Sequence, residues 1–318
     1  MRGGISYWLS EHPAIVGFRW GADQLWLATW PSLIVSLSLF AVLAVSLHFL
    51  LNLLGRSRPV PLGPIPALHS LAVAAVSAII FVGTLLSTAA EIRDTRWSWR
   101  RLHMASPLHW LLCFPVGTRP SGRVFFWSYA FYLSRYLHLP RALFAVLRRR
   151  RRPVARVAAQ CALVAMPFLW LEFSQSFQVL AILAASLAHV LVFGYRFWIC
   201  AAAARGDGAA PPPATVVMGC QVGLLWCNVA CHVGVLVLHF GGRRSGGCSG
   251  IGAWAFNSVL NAGLLWIFLD CYAHYREKRW RRKAVGCDDD CGSTRHWRRR
   301  RGRRAPSKGE DKGAKDRY

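Results

Sequence analysis

Seven stretches of this chain are longer and more apolar than the interior of one soluble domain requires. They run Ile34 to Leu54, Ile65 to Leu86, Val124 to Leu147, Gln160 to Leu171, Phe177 to Ala204, Val216 to Phe240 and Ile251 to Tyr275. A helix needs about 20 apolar residues to cross a bilayer core. Six of the stretches meet that length, and the fourth does so when it starts near Val154. Soluble domains of this size rarely average 54% hydrophobic residues with a mean hydropathy of +0.30. The expected fold class is therefore all-α: a polytopic membrane protein with about seven transmembrane helices.

A net charge of +25 would suit a nucleic-acid binder, but its placement argues otherwise. The basic residues stand in blocks beside spans: Arg148 to Arg152, then Arg276, Lys278, Arg279, Arg281, Arg282 and Lys283, then Arg298 to Arg304. Such clusters orient a multi-pass protein with its basic side cytosolic and attract anionic lipid. No nucleic-acid-binding motif accompanies them. Seven spans with a cytosolic basic tail place the N-terminus in the lumen, with residues 1–275 forming the membrane domain. Residues 276–318 form a basic tail expected to be disordered. The region before the first span carries Glu11, His12, Arg19 and Asp23 and has no cleavable-signal pattern, so the first span is expected to act as an uncleaved signal. The luminal loop from Glu91 to Arg123 breaks the charge rule with Arg93, Arg96, Arg100 and Arg101. Within it, Trp110 to Pro115 is apolar but too short to span, which suits an interfacial or re-entrant piece.

Of ten cysteines, six (Cys161, Cys200, Cys220, Cys227, Cys231, Cys271) lie in or beside apolar runs and read as small buried hydrophobes. Cys113 and Cys248 fall on the same luminal side of this topology, where disulfides are permitted, and are expected to pair. Cys287 and Cys291 flank three aspartates, too few ligands for a zinc site.

Polar groups inside spans are costly and usually face a bundle interior or cavity. Here they include His138, Glu172, Gln175, Gln178, His189, Arg196, Gln221, Asn228, His232, His239, Asn257, Asn261 and Asp270. His232 and His239, seven apart, share a helical face and read as structural. No HxxHH or HxxxH pair occurs, so no di-metal centre of the oxygen-activating kind is expected. Phosphate loops, Ser-His-Asp signatures and CxxC pairs are also absent.

Four segments carry a family resemblance: CFPVGTRPSGRVFFWSYAFYLSRYLHL from Cys113, FLWLEFSQSFQ from Phe168, AHVLVFGYRFW from Ala188 and FNSVLNAGLLWIFLDCY from Phe256. Together they resemble the ELO family of fatty-acid elongases, in its plant branch. The family's KxxExxDT box falls on Arg135, His138, Arg141 and Ala142, and its HxxHH box on Arg156, Ala159 and Gln160. The HxxMYxYY box keeps His189 and Tyr195, with Val192, Phe193 and Arg196 departing. TxxQxxQ keeps Gln221.

The resemblance implies helices around an acyl-chain tunnel in the endoplasmic reticulum membrane. It also implies condensation of acyl-CoA with malonyl-CoA to 3-oxoacyl-CoA, with no further cofactor. Expected partners are acyl-CoA, malonyl-CoA, membrane lipid and the reductases and dehydratase of an elongase complex. Such chemistry needs a nucleophile and a base near neutral pKa. Arg156, always protonated, cannot replace a histidine there. The implied catalytic group is His189 as acyl acceptor or general base, with Tyr195 and Gln221 orienting the thioester and His138 supplying a second imidazole if the two spans adjoin. A non-catalytic, acyl-binding member of an elongase complex stays open as a second reading. A lipid transporter is a third, against which stands the lack of an inverted repeat.

Overall fold

The computed structural model describes residues 4–21, 25–55, 58–101, 107–149, 153–205, 213–241 and 247–283. A short π-helical turn, Tyr7–Glu11, leads into ten α-helices. They are α1 (Pro13–Val16), α2 (Trp30–Leu53), α3 (Ile65–Arg101), α4 (Pro107–Leu112) and α5 (Arg123–Tyr136). Then follow α6 (Pro140–Leu147), α7 (Pro153–Glu172), α8 (Gln178–Arg205), α9 (Pro213–Gly241) and α10 (Ile251–Lys283). Among the described residues there is no strand, only the isolated bridges Arg19 to Ser121 and Pro115 to Cys248.

The helices begin and end for local reasons. At the start of α2, Thr29 and Ser32 each accept a hydrogen bond from the other's backbone N–H, satisfying two donors that the first turn leaves open. Only a narrow stripe of α2 is buried: Leu33, Phe40, Ala44 and Leu51. Val35, Leu39, Val42 and Phe49 point outward. An apolar outer face beside a thin buried seam is what a lipid solvent favours.

Among the described residues, five helices are long and apolar enough to cross a membrane: α2, α3 over Ile65–Asp94, α7, α8 over Gln178–Ala202, and α9 over Val216–Gly241. The chain is an all-α polytopic membrane protein. One expected span is built differently from the others. The stretch from Val124 to Leu147 is two helices, because Pro140 has no N–H to give Tyr136 and the chain turns at Leu137 to Leu139. Together they still run the length of the bundle: Arg123 at the start of α5 meets Asp94 near one end of α3, and the Leu147 carbonyl at the end of α6 accepts from Val60 N–H, just before the other end of α3. The described apolar part of α10 is Ile251–Ile267, and the helix continues beyond it.

Two loop expectations also change. Helix α3 continues to Arg101, so the start of the expected luminal loop is helical. There Arg93 meets Glu11 at 3.5 Å, and Arg123 meets Asp94 at 2.7 Å. Helix α10 continues to Lys283, past the boundary expected at residue 275. Cys287, Cys291 and the rest of the tail lie outside the described residues.

In the bundle α3 runs along α8, α8 packs on α9, and α5 wedges between α3 and α7. Small polar residues of α3 are buried, among them Ser77, Thr84 and Ser87, whose hydroxyl donates to the Leu9 carbonyl at 3.1 Å. Gly83 lets the Trp127 ring lie against the α3 backbone, where any Cβ would collide with it. Aromatic rings fill the centre. Phe131 stacks on Trp170 with centroids 6.0 Å apart, and Tyr132, Phe168 and Trp20 form a second group. Of the six cysteines expected to be buried, Cys231 is; Cys161, Cys220 and Cys227 are half-buried, Cys200 is exposed, and the side chain of Cys271 lies outside what the structure describes.

One end of the bundle is closed by a knot of loops. Cys113 and Cys248 are disulfide-bonded, with Cα atoms 5.0 Å apart. Beside them Ser249 N–H donates to the Phe114 carbonyl at 2.8 Å. Ser176 Oγ donates to the Ser249 carbonyl and accepts from Phe114 N–H. Gly250, at φ +70°, sits where a Cβ would press on the Phe173 carbonyl and Gln175 Cα.

Candidate active site

Two of the sequence-predicted residues meet. His138 lies in the turn after α5 and is buried. His189 projects from the middle of α8, and the two ring centroids are 4.7 Å apart. Phe193, one turn further along α8, covers both rings, edge-on to His138 at 5.3 Å. The condition that the two spans adjoin is met through the break between α5 and α6, which turns His138 inward.

Arg135 completes the group. It is buried, and its guanidinium lies over the Phe131 ring at 4.1 Å. Its Nη1 is 3.3 Å from His189 Nε2. A guanidinium has only donors, so His189 Nε2 accepts and carries a lone pair. The imidazole is then neutral with its proton on Nδ1, the form that acts as nucleophile or base.

Further cations surround this pair. Arg141, from the first turn of α6, lies over Phe193 at 5.4 Å, and Arg196 lies 5.9 Å from the same ring. Arg156 and Arg196 are near enough for their charges to act on Arg141. The KxxExxDT positions Arg135, His138 and Arg141 thus gather around His189. The first HxxHH position, Arg156, faces the arginine side of the group, while Ala159 and Gln160 sit half-buried on the first half of α7. Basic groups stand at the acid and histidine positions of those boxes, so positive charge collects near His189.

Tyr195 and Gln221 stand apart from the imidazoles. Tyr195 is six residues beyond His189, which turns it well away around α8, and its ring contacts Trp198 at 5.7 Å. Gln221 is half-buried on α9, next to Cys220, which packs against the Phe193 cluster. The other intramembrane polar residues have separate tasks. Glu172 accepts from the indole N–H groups of Trp20 (3.0 Å) and Trp30 (3.3 Å). His239 accepts from Cys248 N–H at 2.9 Å, whereas His232 bonds Ser258 at 3.1 Å.

Sequence reasoning missed Arg135 as a partner of His189. Its signal was available: i and i+3 put Arg135 and His138 on one side of the same turn. It also missed the contact of Gln175 with Asn257 and the placing of His232 against Phe177, the residue before Gln178. Gln175 accepts a hydrogen bond from Asn257, and His232 packs on Phe177 with centroids 5.0 Å apart.

A family model described as ELO: GNS1/SUR4 family matches residues 25–283. An Arabidopsis thaliana protein named fatty acid elongase 3-like is 55% identical over 269 residues, 84% of this chain and 90% of that protein. A Dictyostelium discoideum protein, named as a candidate fatty acid elongase, is 23% identical over 161 residues, 51% of this chain and 50% of its own. No solved structure matches the chain. With most of its length covered both by the family model and by a relative of this identity, the chain belongs to the ELO (GNS1/SUR4) family.

Proposed function

We propose that this protein is the condensing enzyme of fatty-acid elongation, joining an acyl-CoA to the two-carbon unit of malonyl-CoA. The observation that supports this most is the contact of a neutral His189 with His138 and Arg135 inside the bundle. Fatty-acid elongation is also what the names of both relatives carry.

The chemistry follows from the groups present. His189 Nε2 attacks the acyl thioester carbonyl, and CoA leaves as thiolate. Malonyl-CoA then loses CO2, and its carbanion attacks the acyl-imidazole carbonyl. The imidazole departs with its lone pair, leaving 3-oxoacyl-CoA. Arg135 stands where negative charge grows on the carbonyl oxygen, and its donors would stabilise it. Arg141 and Arg196 would hold anionic parts of the two thioesters. His138, beside His189, would move the proton that the thiolate takes up. The acyl chain would run from the histidines into the bundle, between α3, α5, α7 and α8. No cofactor beyond the two thioesters enters this scheme.

The test is elongation by microsomes of an elongase-deficient yeast expressing this chain, supplied with malonyl-CoA and a panel of acyl-CoAs. Appearance of the two-carbon-longer 3-oxo product supports the reading. No product with any acyl-CoA, from a protein that still binds acyl-CoA, would favour the non-catalytic partner.

The same reading places the protein in the endoplasmic reticulum membrane, N-terminus luminal and C-terminus cytosolic, near the reductases and dehydratase of elongation. Basic clusters beside spans support that orientation. Protease added to sealed microsomes is expected to remove a C-terminal epitope tag, and a protected tag would reverse the topology.

A further inference from the structure

Eleven residues before His189, at the first position of α8, Gln178 is fully buried, and neither its Oε1 nor its Nε2 has a hydrogen-bond partner. It is not alone. Gln175 Nε2, Asn257 Oδ1, His232 Nε2 and Trp254 Nε1 are also buried without partners. They lie close together: Asn257 donates to Gln175, its neighbour Ser258 bonds His232, and His232 packs on Trp254 and on Phe177, the residue before Gln178. A buried amide left unmatched in a membrane bundle is costly, so five such side chains together point to a polar ligand group.

The set also says which group. Ser258 Oγ gives its single proton to the Trp254 carbonyl at 2.8 Å. His232 Nδ1 must therefore donate to Ser258, which leaves His232 Nε2 as an acceptor. The open acceptors are thus Gln178 Oε1, Asn257 Oδ1 and His232 Nε2. The open donors are Gln178 Nε2, Gln175 Nε2 and Trp254 Nε1. None of these side chains is a carboxylate, lysine or arginine. A neutral hydroxyl, with one proton to give and two lone pairs, meets up to three of these six groups and draws on both lists; a carboxylate, which only accepts, or an ammonium, which only donates, meets one list alone.

The position relative to His189 says where that hydroxyl would be. Eleven residues of helix make three turns, so Gln178 and His189 lie on one face of α8, about 16 Å apart. One turn along α8 from Gln178, the fully buried Ile182 belongs to an apolar cluster with Phe131 and Trp170, and Trp170 also meets Phe177. We infer that this enzyme takes hydroxylated acyl chains, whose thioester lies at His189 and whose hydroxyl is bound by Gln178, Asn257 and His232. The separation corresponds to roughly a dozen methylenes, each C–C bond of about 1.5 Å adding its zigzag projection. The hydroxyl therefore belongs far from the thioester, in mid-chain or at the terminal carbon. This inference rests on the proposed elongase reading for the position of the thioester.

The experiment compares palmitoyl-CoA, α-hydroxypalmitoyl-CoA and a series of acyl-CoAs with one hydroxyl moved from mid-chain to the terminal carbon. Binding is read by thermal shift on the full-length protein in detergent, and turnover with malonyl-CoA in parallel. A distal hydroxyl is expected to bind at least about tenfold more tightly than the plain or α-hydroxy chain. In Gln178→Leu and in Asn257→Leu that ratio is expected to collapse toward one. Equal binding of plain and distal-hydroxy chains, or a preference for the α-hydroxyl, overturns the inference, and this comparison needs only the unmodified protein. A distal-hydroxyl preference in binding without turnover of any chain supports the ligand class and overturns the elongase reading instead. Turnover of plain chains with no hydroxyl preference does the reverse.

Discussion

The Arg135 guanidinium lies 3.3 Å from His189 Nε2, so the nitrogen that would attack a thioester is held as a lone-pair acceptor beside a fixed positive charge. Two substitutions separate their roles. His189→Ala removes the nucleophile and is expected to lower elongation by at least about 10²-fold, as loss of a general base alone would. Arg135→Gln keeps a donor but loses the charge, and is expected to lower kcat by about 10-fold to 10²-fold with little change in acyl-CoA affinity. Arg135→Lys restores the charge without the planar fork and is expected to fall between. Unchanged elongation in His189→Ala would show that the imidazole only packs.

Gly83 and Trp127 make a steric test of the bundle. The indole lies against α3 where a Cβ would overlap it, and its N–H is anchored on the Leu9 carbonyl at 2.9 Å. The ring cannot retreat without losing that hydrogen bond. Gly83→Ala is therefore expected to destabilise by about 1–3 kcal/mol, as overpacking does. Thermal unfolding followed by size exclusion would show it, and an unshifted melting temperature would mean that α3 and α5 can part freely.

How much of this was legible in the sequence follows from what a periodic pattern can carry. The helices α2, α3, α8 and α9 follow from apolar runs alone, because a bilayer accepts little else of that length. The break at Pro140 was written in the residue type, yet an apolar run across it reads as one span. The meeting of His138 with His189 depends on the rotation of α8 relative to α5. One sequence does not state that angle, so only the family boxes pointed there. Gln175, Gln178, His232 and Asn257 were visible as polar residues in apolar runs. The placing of Gln175 against Asn257, and of Phe177 against His232, depends on the tight turn at Ser174 to Phe177, where Ser174 and Phe177 take positive φ. Nothing periodic announces such a turn.

Glu172 tests the N-terminal segment. Its two carboxylate oxygens accept from Trp20 and Trp30, which come from the chain before α2 and from its first residue. Glu172→Leu leaves both indoles without an acceptor. It is expected to cost about 1–3 kcal/mol, mostly through the less exposed Trp20. Glu172→Gln keeps one acceptor oxygen and is expected to lose less. Protease sensitivity of the segment before α2 is the direct readout. Equal resistance in both variants and the unmodified chain would mean that the aromatic contacts of Trp20 with Tyr132 and Phe168 hold it unaided.

The Cys113–Cys248 bond joins positions 135 residues apart. In the chain-entropy account, closing a loop of this size stabilises by about 4–5 kcal/mol. The observed surroundings lower the expected loss on removing it. Ser249 N–H to the Phe114 carbonyl, and Ser176 Oγ between Phe114 and Ser249, hold the same loops together without the sulfurs. A Cys113→Ser, Cys248→Ser double variant is therefore expected to fold and to melt lower, with a loss below the full loop term. Adding Ser176→Ala to it is expected to cost more than Ser176→Ala costs alone, because each tie covers for the other when only one is cut. In the unmodified protein both thiols should resist maleimide until reductant is added, and alkylation of both without reductant would show that the bond is not formed in the cell.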